Sequence, residues 1–386
     1  MSMIFPLDKI QSLSTPFYYY DMELLNSTIL AVKKQTEKHG YHMHYALKAN
    51  SNYRFLEAMQ QAGFGADCVS GNEVQQAINA GFSPNTIAFA GVGKTDKEIK
   101  TGLENDIFSF NVESIQEIEV INDLASEMGK TARIALRINP NVDAKTHHYI
   151  TTGIEENKFG INSWEFEDVI RCLEKSGNLK LTGLHFHIGS QIRDLDVFKG
   201  LCLRVNEIQQ WFLNHQILPS HINLGGGLGI DYDNPDILPD FEAFFNIFPQ
   251  FLELQANQQL HFELGRALVA QSGALISRVL FIKNGIKTNF VILDAGMTEL
   301  IRPALYQSYH KIENLISKKQ DEVYDVVGPI CESSDCFGKA VQLPITQRGD
   351  LFAIRSTGAY GEVMSSQYNL RNKALAYYSD EPNIQG

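Results

Sequence analysis

Cysteine, proline and tryptophan are scarce in this chain, with 5, 12 and 2 among 386 residues. The cysteines, Cys68, Cys172, Cys202, Cys331 and Cys336, are odd in number and scattered, without the close double pairs that hold zinc. Free thiols in a reducing compartment are expected rather than a disulfide framework. Positive charge is also short: 33 Lys and Arg against 45 Asp and Glu leave a net charge of -12. Nucleic acid is therefore not an expected partner, because a basic face is needed to release counterions from the phosphate backbone. No apolar run is long enough to cross a bilayer, and Met1 to Ile10 lack a basic segment followed by an apolar stretch. A cytoplasmic protein without membrane association is expected.

What is present is ordinary globular material, 44% hydrophobic and 20% charged. A chain of this length fits two domains, or one barrel with an appendage. From about residue 22 to 270, short β-rich runs alternate with amphipathic helical stretches, as repeated βα units around a parallel sheet should. Eight strands are read: His42 to Lys48, Gly65 to Val69, Ile87 to Ala90, Ile107 to Phe110, Arg133 to Ile138, Leu181 to Ile188, His221 to Leu224 and His261 to Glu263. Eight such units close a TIM-like (β/α)8 barrel. Helical stretches include Asp21 to Lys38, Val112 to Glu127 and Phe241 to Gln255. After about Ser272, the runs Phe290 to Leu293, Tyr324 to Val327 and Leu351 to Ile354 follow one another with turns and little helical pattern. The expected fold class is α/β plus all-β. The barrel covers 22–272; residues 1–21 and 273–386 form the all-β domain, with Phe17 to Tyr20 as an extra strand.

In a closed βα barrel the carboxyl ends of the strands converge on one mouth, where chemistry collects. Lys48, His187, the glycines Gly225 to Gly227 and Glu263 fall at such ends. Lys48 shares strand parity with His44 and Ala46, and an amine in a low-dielectric site becomes a nucleophile toward an aldehyde. A solvated lysine at a strand end is the plain alternative. Gly225-Gly-Gly-Leu-Gly229 lets backbone N–H groups approach a phosphate, although a tight barrel turn has the same composition. Glu263-Leu-Gly-Arg266 offers a carboxylate able to keep a pyridine nitrogen protonated and a guanidinium able to hold an anion in a fork; alone, it reads equally as a structural ion pair. His185 and His187 share a face. One can lie flat against a cofactor ring, or both can bind metal, which makes a metal-dependent barrel hydrolase the rival from another class. No second well-spaced His/Asp cluster is seen at the other strand ends. Beyond the barrel, Arg302 and Tyr306 are four apart and suited to a carboxylate, and the Cys331 thiol can donate a proton near neutrality. A surface arginine and a simply buried thiol are the bland readings.

Eight segments run in order from near the start to near the end: Tyr45-Ala-Leu-Lys-Ala-Asn50, His185-Phe-His-Ile-Gly-Ser-Gln191, the Gly225 loop, Glu263-Leu-Gly-Arg266, Asp294-Ala-Gly-Met297, Arg302-Pro-Ala-Leu-Tyr306, Gly328-Pro-Ile-Cys-Glu-Ser333 and Gly358-Ala-Tyr-Gly361. Together they resemble the fold-type III pyridoxal-phosphate decarboxylases, most closely the diaminopimelate decarboxylases. The resemblance implies a barrel with a C-terminal β-sandwich, pyridoxal 5'-phosphate as cofactor, no metal, and a homodimer with shared active sites. The implied reaction is decarboxylation of meso-2,6-diaminopimelate to L-lysine and carbon dioxide, the last step of lysine biosynthesis.

Residue by residue, the resemblance gives covalent attachment of the cofactor to Lys48 and stacking on its ring to His187. It gives phosphate contacts to Ser190, Gly227, Gly265 and Arg266, with Tyr360 near the cofactor and Glu263 at the ring nitrogen. Arg266, Arg302, Tyr306 and Tyr360 are implied around the far carboxylate of the substrate, and Glu332 at its ammonium. Cys331 and Glu332 are implied to come from the partner chain, with Cys331 as proton donor. Decarboxylases of ornithine or arginine, unlike this pattern, must meet a cationic far end; those and the carboxynorspermidine type are the alternatives within the family. Two departures stand out: Leu264 occupies the position usually held by proline, and the tail after Tyr368 lacks the apolar strand expected of longer relatives.

Overall fold

The computed structural model describes residues 2–142 and 158–381. The chain divides into two compact units, one of Ile29–Gly229 with Asp240–Gly265, the other of Met1–Thr28 with Ile230–Pro239 and Arg266–Gly386. Strands are numbered along the chain, and β1 (Phe17–Tyr20) belongs to the second unit.

In the first unit, β2 (His42–Ala46), β3 (Gly65–Cys68), β4 (Ile87–Phe89), β5 (Ser109–Val112), β6 (Ala132–Ile138), β7 (Leu179–Phe186), β8 (His221–Asn223) and β9 (Gln259–Leu264) form a closed barrel. Each is parallel to the next, and β9 closes on β2 with His44 opposite Glu263. The strands are short apolar runs buried on both faces, as an all-parallel sheet requires. Asn52, Ser70, Thr95 and Ser114 start the helices after β2 to β5, each side chain accepting a backbone N–H of the first turn. Two readings shift. The strand expected from Ile107 begins at Ser109, because Ile107 N donates to Gly102 O at 3.3 Å and closes the preceding helix. The helix expected over Phe241 to Gln255 is two pieces, Phe241–Phe245 and Phe248–Phe251, with Pro249 in the first turn of the second.

Inside the barrel, His44 lies between Thr86 O (3.0 Å from Nδ1) and His261 Nδ1 (2.8 Å from Nε2). A carbonyl can only accept, so Nδ1 of His44 carries the proton and Nε2 accepts from His261. His221 stacks nearby, its ring centroid 5.0 Å from that of His261. Burial, then His44, pushes His221 down to about 3. A depressed histidine adds stability that is complete above its unfolded value of about 6.5 and is lost as pH falls toward the folded value, because the unfolded chain takes the proton first. Relative to His221→Leu, the protein should lose about 1.4 kcal/mol per pH unit between about pH 6 and 4. Urea melts across that range check the slope.

The second unit is a mostly antiparallel sheet of β1, β10 (Gly273–Asn284), β11 (Asn289–Leu293), β12 (Ile312–Asn314), β13 (Asp321–Val327), β14 (Cys336–Pro344), β15 (Leu351–Ile354) and β16 (Leu375–Tyr378). β10 pairs with β1 and β15 up to Arg278 and with β11 from Val279, with a register shift between Val279 and Phe281. β1 lies between β10 and β16, antiparallel to the first and parallel to the second. The tail thus does carry a strand, against expectation; four residues, Leu-Ala-Tyr-Tyr, are too few to stand out after the polar Arg371-Asn-Lys373. Alternate residues of β1 serve opposite faces. Phe17 and Tyr19 join the apolar core with Ile276, Ala353 and Tyr377, while Tyr20 on the other face donates to Glu362 Oε2 at 2.7 Å.

Candidate active site

Lys48 does not end a strand as expected. β2 stops at Ala46, and Leu47–Ala49 form one 3₁₀ turn with Leu47 and Ala49 buried. Tyr45 Oη, donating to Asn50 O at 2.8 Å, ties the turn to the strand. Lys48 Nζ donates to Asp67 Oδ2 at 3.1 Å. The pairing is lopsided, since the lysine side chain is 38% exposed and that of Asp67 1%. Asp67 Oδ1 is buried without a partner. Burial, then the charge of Glu263, pushes the Asp67 carboxyl up to about 7, with Lys48 pulling the other way. Asp67 can therefore carry a proton near neutrality.

Glu263 stands on β9 and accepts from three other strands: His185 Nε2 on β7 at 2.9 Å, Asn111 Nδ2 on β5 at 3.1 Å and Asn223 Nδ2 on β8 at 2.7 Å. Burial alone would raise its carboxyl. His185, Lys48 and His44 outweigh that and hold it well below the usual carboxylate range, so it is ionised. His187 lies one residue past β7, and its Nδ1 accepts from Gly226 N at 3.3 Å. Burial, then the charges of Arg137 and Lys48, hold it well below the ordinary histidine range, leaving a neutral ring. The two histidines thus do different things: His185 is bound to the carboxylate, His187 to the glycine loop. Among the described residues, no group of three or more His, Cys, Asp or Glu could hold a metal ion.

The loop after β8 needs glycine. Gly225 and Gly227 have φ of +67° and +106°, and a Cβ on Gly226 would lie 2.1 Å from Glu263 O. Ile192 N donates to Gly227 O and Gly229 N to Ile192 O, both at 2.9 Å, which brings the Ser190–Gln191 turn alongside this loop. At Gly265 a Cβ would come within 2.9 Å of Ala49 Cβ, so the end of β9 approaches the Lys48 turn closely. One unit therefore holds an amine, an ionised carboxylate, a neutral imidazole and a side-chain-free backbone loop. That donor set fits pyridoxal phosphate.

In the second unit, Arg266 and Arg302 are both buried and meet at Tyr232, whose hydroxyl accepts from Arg266 Nη1 at 2.6 Å and Arg302 Nη1 at 2.9 Å. The Arg266 guanidinium lies 4.9 Å from the Tyr360 ring centroid. Arg302 opens the helix Arg302–Tyr306, which ends on the half-buried Tyr306. Cys331 and Glu332 are exposed, and Glu332 Oε1 accepts from Tyr368 Oη at 2.7 Å. Their loop is shaped by Asp335, whose carboxylate accepts from Ile330 N at 2.7 Å and Met297 N at 2.6 Å. A Cβ on Gly328 would lie 2.3 Å from that carboxylate.

Sequence reasoning missed Asp67, Asn111, Asn223, Tyr232, His310 and Asp335. The first three had a weak signal, each being a polar side chain within two residues of the end of a short strand.

The family model described as pyridoxal-dependent decarboxylase, pyridoxal binding domain, matches residues 23–270. Barrel, amine and glycine loop thus fall within the class of pyridoxal-dependent decarboxylases. A curated diaminopimelate decarboxylase from Bacteroides thetaiotaomicron is 56% identical over 384 residues, 99% of this chain and 100% of the relative. The crystal structure of diaminopimelate decarboxylase from Helicobacter pylori complexed with L-lysine is 40% identical, with a TM-score of 0.90 over 96% of this chain and 93% of that one. The enzyme of M. jannaschii in co-complex with L-lysine is 35% identical, with a TM-score of 0.86 over 95% and 87%. Within its class, the chain belongs to the diaminopimelate decarboxylase family.

Proposed function

We propose that this chain decarboxylates meso-2,6-diaminopimelate to L-lysine and carbon dioxide with pyridoxal 5'-phosphate, the last step of lysine biosynthesis. The observation that carries the substrate choice is Arg302, buried and, among the described residues, with no carboxylate in ion-pair range. An ornithine or arginine decarboxylase needs acid at the far end of its substrate, whereas an uncancelled guanidinium selects a second carboxylate.

In this reading Lys48 would bear the cofactor, His187 would meet its ring, and Ser190, Gly227, Gly265 and Arg266 would hold its phosphate with Tyr360 nearby. Arg302 and Tyr306, with Arg266 and Tyr360, receive the far carboxylate, and Glu332 the ammonium. When bound, the cofactor supplies a protonated ring that accepts the electron pair left as carbon dioxide departs. Glu263, ionised, keeps a proton on the ring nitrogen. Neutral His187 adds no charge to the ring face. Asp67 Oδ2 holds the proton of Lys48 Nζ when that amine must become neutral. Cys331 Sγ delivers a proton to the carbon that lost its carboxylate.

We extend the reading to a homodimer in which Cys331 and Glu332 come from the partner chain, supported by their exposure on a single chain. A cytoplasmic location is in keeping with five free thiols, and the net charge of -12 disfavours nucleic acid as a partner. For a barrel over 22–272 and a second domain of 1–21 with 273–386, the support is the family match over 23–270, while the compact units put 22–28, 230–239 and 266–272 with the second. Incubated with meso-diaminopimelate, the purified chain should release carbon dioxide and L-lysine in equal amounts. Arg302→Ala should lower kcat/KM by well over tenfold, since losing a buried charged contact costs about 2–5 kcal/mol. An unchanged kcat/KM overturns the substrate assignment.

A further inference from the structure

Two buried arginines of the second unit are treated in opposite ways. Arg355 is neutralised by Asp236 at 2.7 Å and Glu313 at 2.9 Å. Arg302 instead spends Nη1 on two neutral acceptors, the Tyr232 hydroxyl and His310 Nε2, each at 2.9 Å. Among the described residues its Nη2 and Nε make no hydrogen bond.

Both acceptors are themselves held. His310 Nδ1 faces Arg355 O at 2.9 Å, so Nδ1 carries the proton and Nε2 presents its lone pair to Arg302. Burial, then Arg302, pushes His310 down to about 3, so it does not charge at working pH. The Tyr232 ring packs edge-on against His310, with centroids 5.0 Å apart. Its hydroxyl also accepts from Arg266, which places two guanidinium donors on one phenol oxygen. A carboxylate in either place would fix Arg302 as firmly, but would cancel the charge an incoming anion needs.

We propose that Tyr232 and His310 are positioning residues for substrate recognition, neutral acceptors that fix Arg302 while leaving its charge and remaining donors to the substrate carboxylate. This rests on the reading that Arg302 receives the far carboxylate.

The test compares binding of L-lysine, which keeps that carboxylate, with binding of cadaverine, which lacks it, to the cofactor-loaded protein by calorimetry. Tyr232→Phe and His310→Leu should each weaken L-lysine about tenfold to a hundredfold, the loss of one hydrogen bond to a charged group. Cadaverine binding should not change, and it certifies that each variant is folded. In an Arg302→Ala background, His310→Leu should add no further loss, because among the arginine side chains His310 Nε2 meets only that of Arg302. His310→Gln, which keeps a neutral acceptor, should bind L-lysine as the parent does, and His310→Glu should not. A merely structural role would not separate a neutral acceptor from a charged one; should the Glu variant not fold, the Gln and Leu variants decide between them. Normal L-lysine binding by Tyr232→Phe and His310→Leu, with loss in Arg302→Ala, overturns the positioning role alone. Normal binding by Arg302→Ala as well overturns the substrate reading beneath it.

Discussion

Lys48→Ala should lower kcat by at least about a thousandfold and leave no cofactor fixed to the chain after borohydride treatment. Lys48 leaves the barrel strand in a single turn whose neighbours Leu47 and Ala49 are buried, so the amine has a fixed base. Its partner Asp67, pushed up to about 7 chiefly by burial, accepts a hydrogen bond from the amine and is the nearest acceptor for its proton. Lys48→Arg should not rescue, because a guanidinium does not deprotonate in a protein. Peptide mass mapping of the reduced wild type decides the matter: cofactor mass on any lysine other than 48 would sink the assignment.

Glu263→Gln should retain cofactor yet lose about a hundredfold to a thousandfold in kcat, the usual effect of removing one preorganised charge from a site. The side chains have nearly the same shape, but an amide cannot hold a proton on the ring nitrogen. Asn111 and Asn223 donate to Oε1 and His185 faces Oε2, so the amide keeps all three contacts only if its oxygen meets the asparagines and His185 accepts through Nε2 instead of donating. Because the native carboxyl lies well below its ordinary range, Glu263 stays ionised through mildly acid conditions, and any fall in rate there belongs to other groups. Single-turnover measurements with thermal melts separate chemistry from stability. A drop of less than about threefold is too small for an electrostatic role of this size.

The barrel was legible because its strands are short apolar runs with polar caps between them, and β1 because four successive aromatics have few other uses in a globular chain. Where the reading slipped, a local hydrogen bond overrode composition. Ile107 belongs to a helix end, and the Lys48 segment turns one residue beyond Ala46. The principal site residues were legible because glycines, a lysine and a Glu-x-Gly-Arg segment leave spaced marks in the sequence. Their partners leave none: Asn111 and Asn223 reach Glu263 across 152 and 40 residues. Tyr232 sits in a turn whose acids Asp231 and Asp233 draw the eye away from it, and His310 follows a helix with nothing to flag it.

The first strand of the chain is sandwiched against one of the last. Phe17 pairs with Leu375 and Tyr20 with Tyr378. During synthesis at about 5–20 residues per second, β1 therefore waits tens of seconds for its final neighbour, with both hydrogen-bonding edges open until β10 is made and one thereafter. A ribosome stalled before residue 375 leaves four aromatic residues on an unfinished sheet, a natural handle for chaperones and a seed for pairing with other nascent chains.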